Sequence, residues 1–213
     1  MIKQKLISFE KKIVKQWENA EIPYPIHFSG GNEDELIEIF KDIKKEDYVN
    51  IDINKECKPD LLLDVGKERL PYKNNEVDYI YCDNVLEHLY ENEIEFVMSE
   101  FHRVIKEEGD ICLIMPYKTS SGAFYWRHKT FFGYYALRDF DIDKGPGIQV
   151  KHLPVFKFKR RLRFAGVLLG IEKVLDIFFN LPKIKYFYDN SGLCFLIPAQ
   201  RIIFKLKKVK NER

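Results

Sequence analysis

The chain is poor in the features that mark specialised protein classes. Its four cysteines, Cys57, Cys82, Cys112 and Cys194, form no Cys-x-x-Cys pair. Neither a disulfide framework nor a zinc knuckle is expected, and no metal site is read. Scattered single cysteines suit a reducing compartment, so a cytoplasmic location is expected. Eleven glycines in 213 residues exclude collagen-like and Gly-rich linker chains. A long apolar run is also lacking. The longest, Ala165 to Phe179, is broken by Glu172, Lys173 and Asp176, too short and too charged to span a bilayer. Contact with a membrane interface stays open to it. The first ten residues are charged and amphipathic, without an apolar core, so no signal peptide is read. Net charge is nearly absent, at +2, while 46% of residues are hydrophobic. That combination excludes a disordered chain.

The small net charge hides two unlike halves. Residues 1–110 hold 15 Lys/Arg and 26 Asp/Glu, a charge of −11; residues 111–213 hold 20 and 7, a charge of +13. Different contacts are expected for the two halves. By length the chain is a single domain, 1–213. It is read as an N-terminal helix within 1–24, a ligand-binding half over 25–116, and a segment 117–213 that carries the remaining strands.

Apolar residues at Leu6, Ile7, Phe9, Ile13, Val14 and Trp17 follow helical spacing, predicting a helix over 3–19. Pro23 and Pro25 end it. A short strand over 25–28 runs into the Ser29-Gly30-Gly31 turn. Asn32 with Glu35 signals an N-cap, and Leu36, Ile37, Phe40 and Ile43 supply that helix's stripe. The period then changes. Strands are predicted over 48–53, 61–65, 77–82 and 111–115, and a helix over 92–105, stopped by Gly109. Residues 117–154 read as aromatic loop, 155–164 as an exposed strand, 167–179 as a helix and 201–209 as a last strand. The expected fold is α/β: a Rossmann-like, doubly wound, mostly parallel sheet with an antiparallel C-terminal strand pair.

Ligands of open parallel sheets bind beyond the carboxyl ends of the strands. Here those ends carry what a nucleoside needs. Ser29, Gly30 and Gly31 let the backbone approach a ligand at a helix start. Asp52 stands 21 residues past Gly31, placed to accept from both ribose hydroxyls. Asp64 is placed for an adenine amino group. Asp83 and Asn84 suit an ammonium or a carboxylate. Each alone is more often a turn or capping residue; their joint placement at successive strand ends points to a ligand site.

The order of segments is recognisable. Tyr48-Val-Asn-Ile-Asp-Ile, Pro59-Asp-Leu-Leu-Leu-Asp, Leu70-Pro-Tyr-Lys-Asn-Asn-Glu-Val-Asp and Asn84-Val-Leu-Glu-His-Leu together resemble class I S-adenosylmethionine-dependent methyltransferases, the small type 11 group in particular. The likeness continues through Glu100 to Asp110, and His128-Lys-Thr-Phe-Phe is similar to a later family segment. The resemblance implies S-adenosyl-L-methionine as cofactor. It implies ribose contact at Asp52 and Ile53, adenine contact at Asp64 and Val65, and the methionine moiety near Asp83 and Asn84. The sequence departs from the family at its Gly-x-Gly motif: His27 stands at the acidic position and Ser29 at the first Gly.

Methyl transfer from a sulfonium needs mainly positioning and exclusion of water. A base is required when the acceptor is a hydroxyl or a protonated amine. His128 and His88 are the candidates, His128 first, because it lies in the segment expected to shape the acceptor site. A small-molecule or glycan-linked acceptor is expected. The altered glycine motif leaves a non-catalytic binding or scaffold protein as the alternative. The basic strip from Lys157 to Arg163 reads as a charged edge strand, or as a contact for nucleic acid or an anionic membrane surface. An RNA methyltransferase ranks lower, because Asp83-Asn84-Val-Leu replaces the Asn/Asp-Pro-Pro-Tyr type of motif.

Overall fold

The computed structural model describes residues 6–8, 48–57, 59–140, 148–157 and 171–208. Strands are β1 (Leu6–Ser8), β2 (Tyr48–Asp52), β3 (Leu61–Leu62), β4 (Val77–Asp83), β5 (Ile105–Pro116), β6 (Ile148–Lys157) and β7 (Arg201–Lys208). Helices are α1 (Glu91–Val104), α2 (Ile171–Phe179), α3 (Pro182–Asn190) and α4 (Leu193–Leu196). The seven strands form one sheet in the order β3-β2-β1-β4-β5-β7-β6. The pairings from β3 to β5 are parallel, and β7 runs antiparallel to both β5 and β6. The expected α/β sheet with an antiparallel end is present as this mixed sheet.

The core strands form where the residues dictate. In β4, Val77, Ile80 and Cys82 are buried, and in β5 every side chain from Ile111 to Met115 is buried. Such runs suit a strand covered on both faces. Helix α1 matches its predicted span to one residue at each end. Ile94, Val97, Met98, Phe101 and Val104 keep i, i+3, i+4 spacing and are all buried. Each contributes about 1.5–3 kcal/mol by leaving water. At the helix start the Tyr90 N–H donates to the Glu93 carboxylate (2.8 Å). Glu91 and Glu93 in the first turn, with His102 and Arg103 in the last, complement the helix dipole.

Several expectations need correction. Leu6–Ser8 is a strand rather than part of a helix. It pairs in parallel with β2 on one side and β4 on the other, and this two-sided hydrogen bonding outweighs a helical apolar period. The rest of the predicted helix over 3–19, the 25–28 strand, the Ser29-Gly30-Gly31 turn and the helix after Asn32 lie outside the described residues. Gly109 does not stop α1. The helix ends at Val104, β5 starts at once, and Gly109 lies inside that strand. A Cβ on Gly109 would sit 2.9 Å from the Lys106 carbonyl and 3.0 Å from the Asp78 carbonyl, so its place is a close backbone approach. Strand β6 begins at Ile148, earlier than expected, and of the basic strip Lys157 alone falls within it; residues 158–163 lie outside the described set. Helices α3 and α4 were not expected. Among the described residues no helix is long and apolar enough to cross a membrane. Cys82, Cys112 and Cys194 are buried and form no disulfide among the described residues.

Candidate functional site

Strand order reverses between β1 and β4, where successive connections leave in opposite directions. Such a crevice is where an open α/β sheet takes a ligand. A cavity of about 160 Å³ opens beyond the neighbouring strand ends. Ile51, Asp52 and Ile53 line it from β2, and Leu63, Asp64 and Val65 from the turn after β3. Val85, His88 and Leu89 line it from the segment after β4, while Lys67, Glu93 of α1 and Lys129 complete the wall. Four sequence-predicted cofactor residues, Asp52, Ile53, Asp64 and Val65, thus share one cavity with His88.

Asp52 is only 5% exposed. Its Oδ1 accepts from the Asn54 N–H (2.8 Å), which closes the turn after β2. Its Oδ2 is buried and has no hydrogen-bond partner among the described residues. Buried polar atoms are rarely left so, and a carboxylate oxygen in a cavity wall calls for a donor from a ligand. Asp64 differs. Its Oδ1 accepts from the Gly66 N–H (3.1 Å) and its Oδ2 from Lys67 Nζ (2.8 Å). The hydrogen bond to Asp64 raises the Lys67 pKa. Lys67 is mostly solvent-exposed, so it can swing away and leave Asp64 to an incoming amino group.

Asp83 and Asn84 stand outside the cavity wall. Asp83 is buried, accepts from Asn84 Nδ2 (2.8 Å) and lies 3.8 Å from Arg201 Nη1 on β7. Asn84 has φ 54°, a left-handed conformation that asparagine tolerates better than most residues. Ser29, Gly30 and Gly31 lie outside the described residues.

The two candidate histidines, 40 residues apart, meet. His88 ends a 3-10 turn over Leu86–His88, and its ring stands edge-on to His128 with centroids 4.7 Å apart. His128 Nδ1 lies 3.3 Å from the Ala123 carbonyl; a carbonyl only accepts, so Nδ1 carries the proton in this contact. The segment bearing His128 is stitched to the turn after β4. The N–H groups of Lys129 and Thr130 donate to the Glu87 carbonyl (2.7 and 3.3 Å), and Thr130 Oγ1 donates to the Leu89 carbonyl (2.8 Å). Lys129 Nζ sits 4.0 Å from the Tyr90 ring centre and 3.8 Å from Glu93. Glu87, Glu93 and Lys129 were not picked out from the sequence. Glu87 was visible beside His88 in the Val-Leu-Glu-His-Leu run; Lys129 carried no signal, because its place follows from backbone bonds between segments distant in sequence.

Residues 34–113 match the profile of the family described as methyltransferase domain. Over this stretch, somewhat more than a third of the chain, the sequence is similar to a methyltransferase domain. The match overlaps the stretch whose segments resemble S-adenosylmethionine-dependent enzymes. No curated protein matches the sequence. Solved structures share the fold. A SAM-dependent methyltransferase from Archaeoglobus fulgidus aligns with a TM-score of 0.57 at 15% identity, covering 96% of this chain and 86% of that one. A putative methyltransferase in complex with the Trm112 activator of Haloferax volcanii aligns with a TM-score of 0.58 at 9% identity, covering 99% and 84%. The [4+2]-cyclase SpnF aligns with a TM-score of 0.50 at 11% identity, covering 97% and 74%. At such identities the likeness concerns the fold. That a cyclase shares the fold shows why function must be read from this chain's own site.

Proposed function

We propose that this chain is a methyltransferase that holds S-adenosyl-L-methionine in the cavity beyond β2 and β3 and methylates a small-molecule or glycan-linked acceptor on the side of His88 and His128. The observation that carries the reading is Asp52 Oδ2, a buried carboxylate oxygen without a hydrogen-bond partner among the described residues, in the wall of a cavity at a strand end. Asp52 binds the ribose hydroxyls, with Ile53 beside it. Asp64 and Val65 take the adenine. Ser29, Gly30 and Gly31 are assigned to the cofactor from the sequence alone, and Asp83 and Asn84 serve the methionine end.

The cofactor supplies a methyl group on a sulfonium. The protein orients donor and acceptor in line and keeps water out, and the apolar wall of Ile51, Leu63, Val85 and Leu89 suits that task. A hydroxyl acceptor must lose its proton as its oxygen–methyl bond forms. With Nδ1–H of His128 donating to Ala123, Nε2 is the nitrogen left to receive that proton. His88, in the cavity wall, is the second candidate. A hydroxylated small molecule or sugar provides a proton for these imidazoles to take.

The test is a thermal melt with S-adenosylmethionine and with its demethylated product. Ligand at 100 times its Kd adds about 2.7 kcal/mol, a rise of roughly 5–10 °C for a chain of this size. Asp52→Ala should weaken binding by roughly 10- to 150-fold, as loss of charge-assisted hydrogen bonds costs about 1.5–3 kcal/mol. Wild-type protein whose melt does not move at millimolar ligand would reject the reading in favour of a non-catalytic binding role.

A further inference from the structure

We infer that Glu87, His88 and His128 form a binding site for one divalent first-row transition ion beside the cavity. The ligand-capable atoms of the three residues, one carboxylate oxygen and two imidazole nitrogens, all lie within 4.8 Å of one another. Two imidazoles and one carboxylate suit zinc or iron and leave coordination positions open; calcium and magnesium prefer oxygen alone.

Three further observations favour a built site. Glu87 and His88 leave one short turn, Leu86–His88, and Glu87 is 1% exposed. His128 is brought to them by the Lys129 and Thr130 N–H groups that bind the Glu87 carbonyl, so both parts of the ligand set hang from one backbone junction. His128 Nδ1 is engaged by the Ala123 carbonyl, which presents Nε2. A carbonyl on the other nitrogen is the outer partner that metal-ligating histidines usually have. Donors about 2.1 Å from a tetrahedral ion stand about 3.4 Å apart, so binding draws the three side chains together. Both histidines are half-buried.

His88 also lines the cavity, so an open coordination position adjoins the space assigned to the acceptor. This last point rests on the proposed function; ion binding itself does not. An acceptor hydroxyl coordinated there would lose its proton more readily, as metal-bound water does. The imidazoles then hold the ion, and direct proton uptake by them belongs to the metal-free protein.

The experiment uses tag-free, full-length protein stripped with a chelator and titrated with Zn²⁺, and separately with Co²⁺ as a coloured probe. The expected result is one ion per chain, with visible Co²⁺ absorption bands. Affinity should fall at least 10-fold in His88→Ala, His128→Ala and Glu87→Gln, and stay unchanged in His102→Ala. Proton NMR of wild-type protein needs no variant: Zn²⁺ should shift the ring signals of two histidines and leave that of His102 in place. Absence of stoichiometric binding, or binding that survives in His88→Ala/His128→Ala protein, overturns the inference. A melt that S-adenosylmethionine raises in protein that binds no Zn²⁺ overturns the ion site and leaves the methyltransferase reading standing. Zn²⁺ binding in protein that ignores S-adenosylmethionine supports the site and removes the proposed function.

Discussion

Between Val49 and Pro116, Ile53, Leu62 and Tyr90 are the large apolar side chains exposed among the described residues. Two of these three belong to the site: Ile53 lines the cavity and Tyr90 lies under Lys129. From Tyr117 onward there are twelve, with Trp126 at 77% and Phe195 and Leu196 at 71%. The first region thus turns its apolar surface inward onto a sheet and shows little of it outside its ligand crevice. The second displays it on short turns and helices.

Each region also has its own polar knot. In the first, Glu100 is buried and bonded to Arg103 (2.7 and 2.8 Å). Arg103 in turn donates to the Leu70 and Tyr72 carbonyls (2.9 and 2.7 Å), so α1 holds the loop before β4. In the second, Asp189 of α3 accepts from Tyr117 OH (2.7 Å) and the Tyr134 N–H (3.2 Å) and pairs with Lys118 (3.0 Å). Burial, then the bond to Asp189, raises the Tyr117 pKa far above the usual phenol range, so this hydroxyl stays a donor. Both regions share one buried core; the difference is that Glu100 pairs with a residue of its own helix, whereas Asp189 ties α3 to residues 117, 118 and 134.

Phe101→Ala should break the comparison most severely. It empties a fully buried position of α1 and should cost about 3–5 kcal/mol in denaturant unfolding. Asp189→Ala comes next, at about 2–3 kcal/mol, because three donors lose their acceptor, discounted for the partly exposed Lys118. Hydrogen exchange should rise in α3 and in residues 117–135 before it rises in β4. Equal exchange in both would show that the two regions share one support.

Glu100→Gln should cost about 1.5–2 kcal/mol at neutral pH. The Arg103 hydrogen bond holds the Glu100 carboxyl below its ordinary value of 4.5. A depressed pKa contributes stability that is present above that ordinary value and is lost as pH falls through the folded one. Wild-type melting temperature should therefore fall with pH from about 4.5 downward, and that slope should flatten in the variant. Trp126→Ser should change stability by less than about 0.5 kcal/mol. A larger loss would mean that the aromatic turn is a structural prop and not a displayed surface.

The legible elements were those in which one local rule sufficed. Helix α1 follows from its apolar spacing, and β4 and β5 from apolar runs bounded by turns. Asp52 and Asp64 were legible as cavity residues because strand ends mark the ligand edge of a parallel sheet, whereas Ile53 and Val65 came with the family resemblance. Strand β1 was not, since Leu6 and Ile7 fit a helical period equally well and hydrogen bonding to two distant strands chose between the forms. Helix α3 carried a signal in Pro182 at its first turn, but the aromatic run behind it favours no helix by itself.

The amino-acid sequence by itself determined the strands and helix α1 over 48–116, the charge split and the carboxylates at the strand ends, all set by residue type and spacing along the chain. Tertiary structure decided that Asp52 keeps a buried oxygen in a cavity while Asp64 is held by Lys67. It also decided that His128 meets Glu87 and His88 across 40 residues. That meeting depends on two backbone N–H groups finding one carbonyl, and no local pattern encodes a bond between segments that only the folded sheet brings side by side.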